Sequence, residues 1–514
     1  MFTRRELLKS LGGAAMASAL APYSAAAGDE KQDKPNIVLI VADDMGWSDA
    51  GCYGGEINTP NIDSLAADGL RFSQFYVNPV CAPSRAALMT GLYPRNHSGS
   101  TSVLTSNVVT VAQALRSAGY RTSISGKWNC QRQKPDTPLA WGFEEFYGFP
   151  DMPSNYFNPA LEDMKFGGFR PPFEHNGEEI WEFPDDFYVT DAINDHAVEM
   201  IKRYSEGSDP FFAYVAHLAP HNPLQARPED IERYRGKFME GWDVLRRECH
   251  QRQLAMGLVD PNWGMQAYGD IPNTTPWVDE EHKEWQDLRM AVYAAMIDSM
   301  DQGIGRILQT LKDCGVDRNT IVLFLSDNGG DAGNMRWDSP DIDPGGVDTY
   351  CAVGPEWGIM HNTPLRASKG AVYEGGIATP LIVRWHEAIQ NGGEITNQVG
   401  HVMDLLPTFC DVAGVEYPNE YNGEEIIPCE GLSLLPIFEG KQRDAYEWLF
   451  WEHNDRRAVR HGDWKLVGSG DPANWELYDL EADRSELRNL AEKEPERVKS
   501  MAQAWSDWAE RTNG

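Results

Sequence analysis

The sequence predicts an α/β protein with a mostly parallel central sheet flanked by helices and a smaller C-terminal α+β subdomain. Two observations carry that prediction. Fully apolar, β-branched runs recur along most of the chain with helical segments between them. From about Ala445 short aromatic strand-like segments take over. In order, Ile37 to Ala42 reads as a strand buried on both faces. Thr59-Pro60 opens a helix with a capping residue and a proline at the first position. Thr110 caps a second helix, Val111 to Ala118, and Arg121 to Ser125 follows as a strand. Phe211 to His217 and Thr320 to Ser326 are further buried strands, the latter fed by a helix from Arg289 to Lys312. In the tail, Trp448 to Glu452 and Trp464 to Val467 read as strands of a small antiparallel sheet, and Pro495 to Arg511 as a closing polar helix. Residues 151–184 and 330–362 show little periodicity, as substrate loops do. The expected division is a leader over 1–27, a main domain over 28–420 and a C-terminal subdomain over 421–514.

The chain has 514 residues, with 45 Lys+Arg against 78 Asp+Glu and a formal charge of −33. That surface repels nucleic acid and anionic lipid, so neither is an expected partner. An anionic substrate would need a local positive pocket. At the N-terminus, Arg4-Arg5 precedes an apolar stretch from Leu11 to Ala21 and the small residues Ala25-Ala26-Ala27. The stretch is too short to span a membrane, and the flanks fit a removable signal of twin-arginine type. The expectation is export by the twin-arginine machinery to the periplasm or the medium. The eight cysteines form no CxxC pair, which suits buried thiols better than a zinc cluster.

Candidate chemistry begins with two acidic pairs. Asp43-Asp44 and Asp327-Asn328 each follow directly on an apolar strand, where open α/β sheets place their sites. Three carboxylates and an amide oxygen are hard ligands, suited to Ca²⁺ or Mg²⁺ rather than zinc. Between the pairs lies Pro79-Val80-Cys81-Ala82-Pro83-Ser84-Arg85-Ala86-Ala87-Leu88-Met89-Thr90-Gly91. Pro83 suits a first helical residue, which would set Cys81 at a helix N-terminus, where an anion is favoured.

This run resembles the signature of the type I sulfatases, in which the Cys of Cys-x-Pro-x-Arg is converted to formylglycine by a maturation enzyme. The resemblance extends over nearly the whole mature chain. Gly119 to Trp128 is similar to the second family signature, whose lysine, here Lys127, binds sulfate. His217-Leu218-Ala219-Pro220-His221 resembles the segment presenting a catalytic histidine, matched by His221, while His217 fits a packing role. Pro364 to Gly370, followed by Glu374-Gly375-Gly376, resembles the segment with a second sulfate-binding lysine, Lys369. Asp404-Leu405-Leu406-Pro407-Thr408 is a familiar stretch with a structural reading.

The resemblance implies an alkaline-phosphatase-like fold and hydrolysis of aryl or carbohydrate sulfate esters. It implies one Ca²⁺ on Asp43, Asp44, Asp327, Asn328 and the group made from Cys81. One hydroxyl of the formylglycine hydrate would attack sulfur, with Arg85 steadying it and Lys127 and Lys369 neutralising sulfuryl charge. His221, with Lys369, would protonate the departing alcohol. A phosphate or phosphonate monoester hydrolase of the same fold, or a glycan-binding pseudoenzyme, are the alternatives. One departure stands out: Asn129 occupies the place of the His that ends the second signature. Asn cannot take up a proton near neutral pH, and His97 is a candidate substitute. Residues 234–238 and 350–357 resemble arylsulfatase-type members.

Overall fold

The computed structural model describes residues 34–98, 104–130, 137–151, 155–162, 171–335, 338–471 and 473–512. The expected leader lies outside the described residues. From Lys34 onward the chain forms one unit.

Its centre is a sheet of eleven strands. The strands are β1 (Asn36–Asp43), β2 (Leu70–Tyr76), β3 (Arg121–Lys127), β4 (Glu145–Phe149), β5 (Phe173–His175), β6 (Glu178–Ile180), β7 (Phe211–Pro220), β8 (Thr320–Ser326), β9 (Ala378–Arg384), β10 (Glu394–Thr396) and β11 (Gly400–His401). The order is β10-β2-β9-β8-β1-β7-β3-β4-β5-β6, with β11 beside β2. The apolar strands β1, β7 and β8 occupy the centre and run parallel, β3 and β4 continue in parallel, and β9 and β5–β6 are antiparallel. Every residue of β1, β7 and β8 is buried, which is why these strands lack polar alternation.

Successive residues of β7 show the two covered faces. Phe211 meets Tyr204 of the helix Val189–Ser205, and Phe212 meets Phe409 of the helix Leu405–Ala413. The helix Lys283–Asp313 starts six residues before the expected Arg289. Its first turns are polar, and only later does the apolar face become continuous.

After a two-residue hairpin, β12 (Glu420–Tyr421) and β13 (Glu424–Glu425), the chain forms an antiparallel sheet. It comprises β14 (Leu449–His453), β15 (Arg456–His461), β16 (Trp464–Ser469) and β17 (Trp475–Asp479). The helix Pro495–Arg511 lies at the expected residues, and its Trp508 stacks on Phe450 of β14 at 4.9 Å. Trp451 Nε1 donates to the Val77 carbonyl at 3.0 Å, tying this sheet to the chain just before Cys81.

Two local expectations need correction. Thr59 does not cap the helix Pro60–Ala67 with its side chain; its hydroxyl donates to Asp63 and accepts from the Gly51 N–H. Pro83 is third in its helix, which begins at Cys81. A proline still fits there, because first-turn N–H groups have no intrahelical partner to lose.

Candidate active site

The parallel register gathers the acidic pairs. Ala42 pairs with Ser326 across β1–β8, and Asp43 with Pro220 across β1–β7. Asp44, Asp327, Asn328 and His221 therefore leave the sheet at one end, with Lys127 at the corresponding end of β3. Asp44 takes the left-handed conformation at φ 69°, which Asp tolerates better than most side chains. Gly46 beyond it has no room for a Cβ, since the His361 carbonyl oxygen would stand 2.3 Å away.

The helix Cys81–Thr90 brings Cys81 and Arg85 to this end. Its N-cap residue, Val80, supplies no side-chain cap. Ser84 Oγ accepts from the Asn78 N–H at 2.9 Å, shaping the entry turn. The Lys369 segment is fixed by backbone: Lys369 N–H donates to the Gly330 carbonyl at 3.1 Å and Gly370 N–H to the Pro79 carbonyl at 2.7 Å. One loop thus spans the distance from the second acidic pair to the Cys81 turn.

Around this cluster the charges alternate. Lys127 Nζ donates to Asp43 at 2.6 Å and Lys369 Nζ to Asp44 at 2.7 Å. Arg85 Nε donates to Asp327 at 2.8 Å, and its Nη1 to the Lys127 carbonyl at 2.9 Å and Tyr214 Oη at 3.2 Å. Asn328 Nδ2 donates to Asp44 at 2.8 Å. Ligand atoms of Asp43, Cys81 and Asp327 lie within 4.8 Å of one another, as do those of Asp43, Asp44 and His221. Two buried oxygens there, Asp43 Oδ1 and Asn328 Oδ1, have no hydrogen-bond partner among the described residues. Such atoms are costly unless a cation or donor meets them. The donor set therefore fits a hard divalent ion.

The electrostatics follow from burial and pairing. Burial would raise Asp43 and Asp44, but Lys127 and Lys369 respectively lead the charges that hold them below the ordinary carboxylate range. Asp327 is pushed up to about 6 by burial and by Asp43, against the pull of Arg85. Burial, reinforced by Lys369, takes His221 down to about 4 despite Asp44. Its Nδ1 sits 2.6 Å from the Asn222 carbonyl, which fixes the proton there and leaves Nε2 turned to Asp44 at 3.5 Å.

Every expected site residue is thus in one cluster: Asp43, Asp44, Cys81, Arg85, Lys127, His221, Asp327, Asn328 and Lys369. Asn129 is buried at φ 56° and donates to Asp151 at 3.3 Å. The side chain of His97 lies outside the described residues. His217 is fully buried and its ring nitrogens have no hydrogen-bond partner among the described residues, as a packing residue would. Cys52, Cys130, Cys249, Cys351 and Cys410 are buried thiols.

Sequence reading missed the layer beneath. His361 Nδ1 lies 2.6 Å from Asp49, whose other oxygen accepts from Tyr293 Oη and the Gly46 N–H. Asn362 binds both the N–H and the carbonyl of Gly330. These residues come from segments distant in sequence, and no local pattern marks them.

The family model for Sulfatase matches residues 35–415, and that for the C-terminal part of N-sulphoglucosamine sulphohydrolase matches residues 367–508. The chain belongs to the sulfatase family. An uncharacterized sulfatase of Schizosaccharomyces pombe is 33% identical over 92% of this chain and 93% of its own length. An arylsulfatase of Klebsiella aerogenes is 32% identical over 80% of this chain and 94% of its own. Among solved structures, Ps i-CgsB in complex with k-i-k-neocarrahexaose superposes with a TM-score of 0.68 at 28% identity, covering 94% of both chains. This sulfatase is therefore a sulfuric ester hydrolase of alkaline-phosphatase-like fold, with a small C-terminal antiparallel sheet. None of its described helices is long and apolar enough to cross a membrane.

Proposed function

We propose that this sulfatase hydrolyses sulfate monoesters with a nucleophile made from Cys81 and one Ca²⁺ held by Asp43, Asp44, Asp327 and Asn328. The observation that carries this reading is the meeting of Asp43, Cys81 and Asp327 within 4.8 Å. Oxygen ligation favours Ca²⁺ over zinc. The ion, when bound, supplies Lewis-acid polarisation. Formylglycine at position 81 supplies, as its hydrate, a hydroxyl nucleophile.

The chain's own residues do the rest. Asp43, Asp44 and Asp327 are matched one for one by Lys127, Lys369 and Arg85, so a divalent ion leaves the site net positive. That excess attracts a sulfate monoester despite the charge of −33 on the whole chain. Lys127 and Lys369 neutralise the sulfuryl oxygens. Arg85 is positioned by its three partners, and its Nη2, which has none among the described residues, steadies the nucleophile. Lys369 Nζ, against Asp44, is the proton donor to the departing alcohol, and His221, whose neutral ring carries its proton on Nδ1, donates from Nε2 only as the imidazolium that Asp44 at 3.5 Å favours.

The substrate class includes sulfated saccharides as well as aryl esters, a reading supported by the neocarrahexaose complex of the similar structure. The twin-arginine pattern supports modification in the cytoplasm before folded export to the periplasm or medium. The test compares kcat/KM on paired aryl sulfate and aryl phosphate esters, with Cys81→Ala as control. Preference for sulfate, lost in the variant, is expected. Faster turnover of the phosphate would favour a phosphomonoesterase of the same fold, and tight glycan binding without turnover a pseudoenzyme.

A further inference from the structure

A second constellation of metal-ligand type lies at the edge of the sheet, away from the cluster above. Glu145 opens β4, His175 closes β5 and His196 projects from the helix Val189–Ser205. One ligand atom from each lies within 4.8 Å of the others. Glu145 pairs with Ser123 and Phe149 with Lys127, so the constellation stands about 13 Å along the strands from the end that carries Lys127.

We propose that Glu145, His175 and His196 form a binding site for a zinc-type divalent cation, structural rather than catalytic. One carboxylate–imidazole pair and a second imidazole make a His₂Glu set, completed by water, which suits tetrahedral Zn²⁺ and not Ca²⁺. The decisive atom is His196 Nε2. The residue is more than nine-tenths buried, and this nitrogen has no hydrogen-bond partner among the described residues. His196 Nδ1 is held by Ser125 Oγ at 2.7 Å on β3, and the ring stacks on Tyr147 of β4 at 4.9 Å. Because β4 lies between β3 and β5, that pose leaves Nε2 on the side of His175. An outer hydrogen bond at one ring nitrogen is what orients a metal-binding imidazole.

The other two ligands are nearly in place. His175 Nε2 is 2.8 Å from Glu145 Oε1, and ligands on tetrahedral zinc stand about 3.3 Å apart by its bond lengths. The ion would take the place of the proton shared by this pair. Asn176 Nδ2 also donates to Oε1, at 2.9 Å, and must yield or share it. Arg203 donates to Glu145 Oε2 at 2.7 Å, which directs Oε1 inward but sets a positive charge nearby that lowers affinity. The His175 side chain is 48% exposed, giving the ion an entry and the ring freedom to swing in. Burial also takes His196 down to about 4, so its ring is neutral and ready to ligate at neutral pH. Bound metal would pin strands β4 and β5 to the helix Val189–Ser205.

The test uses the full mature enzyme with saturating Ca²⁺, which keeps the catalytic cluster occupied. Zn²⁺ is titrated against a chromophoric chelator, and Co²⁺ is added in parallel for its four-coordinate visible absorption. We expect one equivalent of Zn²⁺, a tetrahedral Co²⁺ spectrum and a higher Tm with either ion. His175→Ala and Glu145→Gln, at more exposed positions than His196, should lose that equivalent while keeping aryl sulfate turnover. Ser125→Ala should weaken binding about 10–100-fold, as loss of an outer partner does. No uptake of Zn²⁺ by the Ca²⁺-saturated enzyme would overturn the proposal. So would an equivalent that His175→Ala and Glu145→Gln both retain.

Discussion

Lys465→Met tests whether the C-terminal sheet is locked to the active-site segment by a buried charge network. Lys465 on β16 is wholly buried, with Nζ 2.9 Å from Glu374 and 2.9 Å from Glu486, both equally inaccessible. Glu374 also meets Arg484 at 2.8 Å and Tyr76 Oη at 2.8 Å. It lies a few residues beyond Lys369, so the network braces the loop that carries that lysine. Burial would raise Glu374, but Lys465 and then Arg484 hold it at about 2; burial pushes Glu486 up to about 7 against Lys465. Removing the ammonium leaves Arg484 for Glu374 and no ion-pair partner for Glu486 among the described residues. Breaking a buried pair costs about 3–5 kcal/mol, a large share of the roughly 5–15 kcal/mol that holds a domain folded. Urea unfolding followed by tryptophan fluorescence should show this loss, with kcat on an aryl sulfate falling as Lys369 loses its brace. Adding Glu486→Gln should recover much of the stability, because the unpaired carboxylate is the main cost. A Lys465→Met protein within about 1 kcal/mol of the parent would refute this reasoning.

Three further outcomes follow. In the family the His at this place is read as the base for the second half of the reaction, the release of sulfate from residue 81 after the alcohol has left; because Asn129 cannot accept that proton and a base typically gives ~10²–10⁴-fold, an activated aryl sulfate should give a burst of phenol near one equivalent before a slow steady state; Asn129→His should speed the steady state, and a trace with no burst would show that loss of the alcohol still limits. Exhaustive chelation should abolish turnover and lower Tm, and Asp327→Ala should reproduce both, whereas full activity with no metal by elemental analysis would count against the site. His217 is held down at about 3 by burial, with Arg306 and Arg85 adding to it, so the unfolded chain binds the extra proton between about pH 6.5 and 3 and stability is lost as pH falls through that window; His217→Phe should therefore gain on the parent by up to ~1.4 kcal/mol per pH unit from pH 6 to 4, and parallel profiles would contradict the assignment.

Much of the central sheet was legible because β1, β7 and β8 are buried on both faces and so carry unbroken apolar runs. The acidic pairs were legible for the same reason: Asp43 and Asp327 are the first charged residues after the β1 and β8 runs. Where burial is one-sided or strands are short, the signal fades. The hairpin β5–β6 lies inside a stretch read as irregular, because Glu178-Glu179 and His175 face solvent and leave no alternation to detect. β9 carries Pro380 within it and was not anticipated. The helix Cys81–Thr90 was anticipated but began two residues earlier than its proline suggested. The supporting contacts of Asp49, His361, Asn362 and Tyr214 depend on tertiary meetings that sequence spacing does not encode.

The central claim is that Cys81 becomes the nucleophile, and one measurement reaches it directly. The enzyme, produced in a maturation-competent host, is digested and the peptide containing residue 81 is weighed, in preparations of graded maturation whose turnover is recorded beside it. We expect an aldehyde at position 81 and aryl sulfate turnover proportional to its fraction, falling to nothing in Cys81→Ala. Fully active enzyme carrying only an unmodified thiol at position 81 would contradict it.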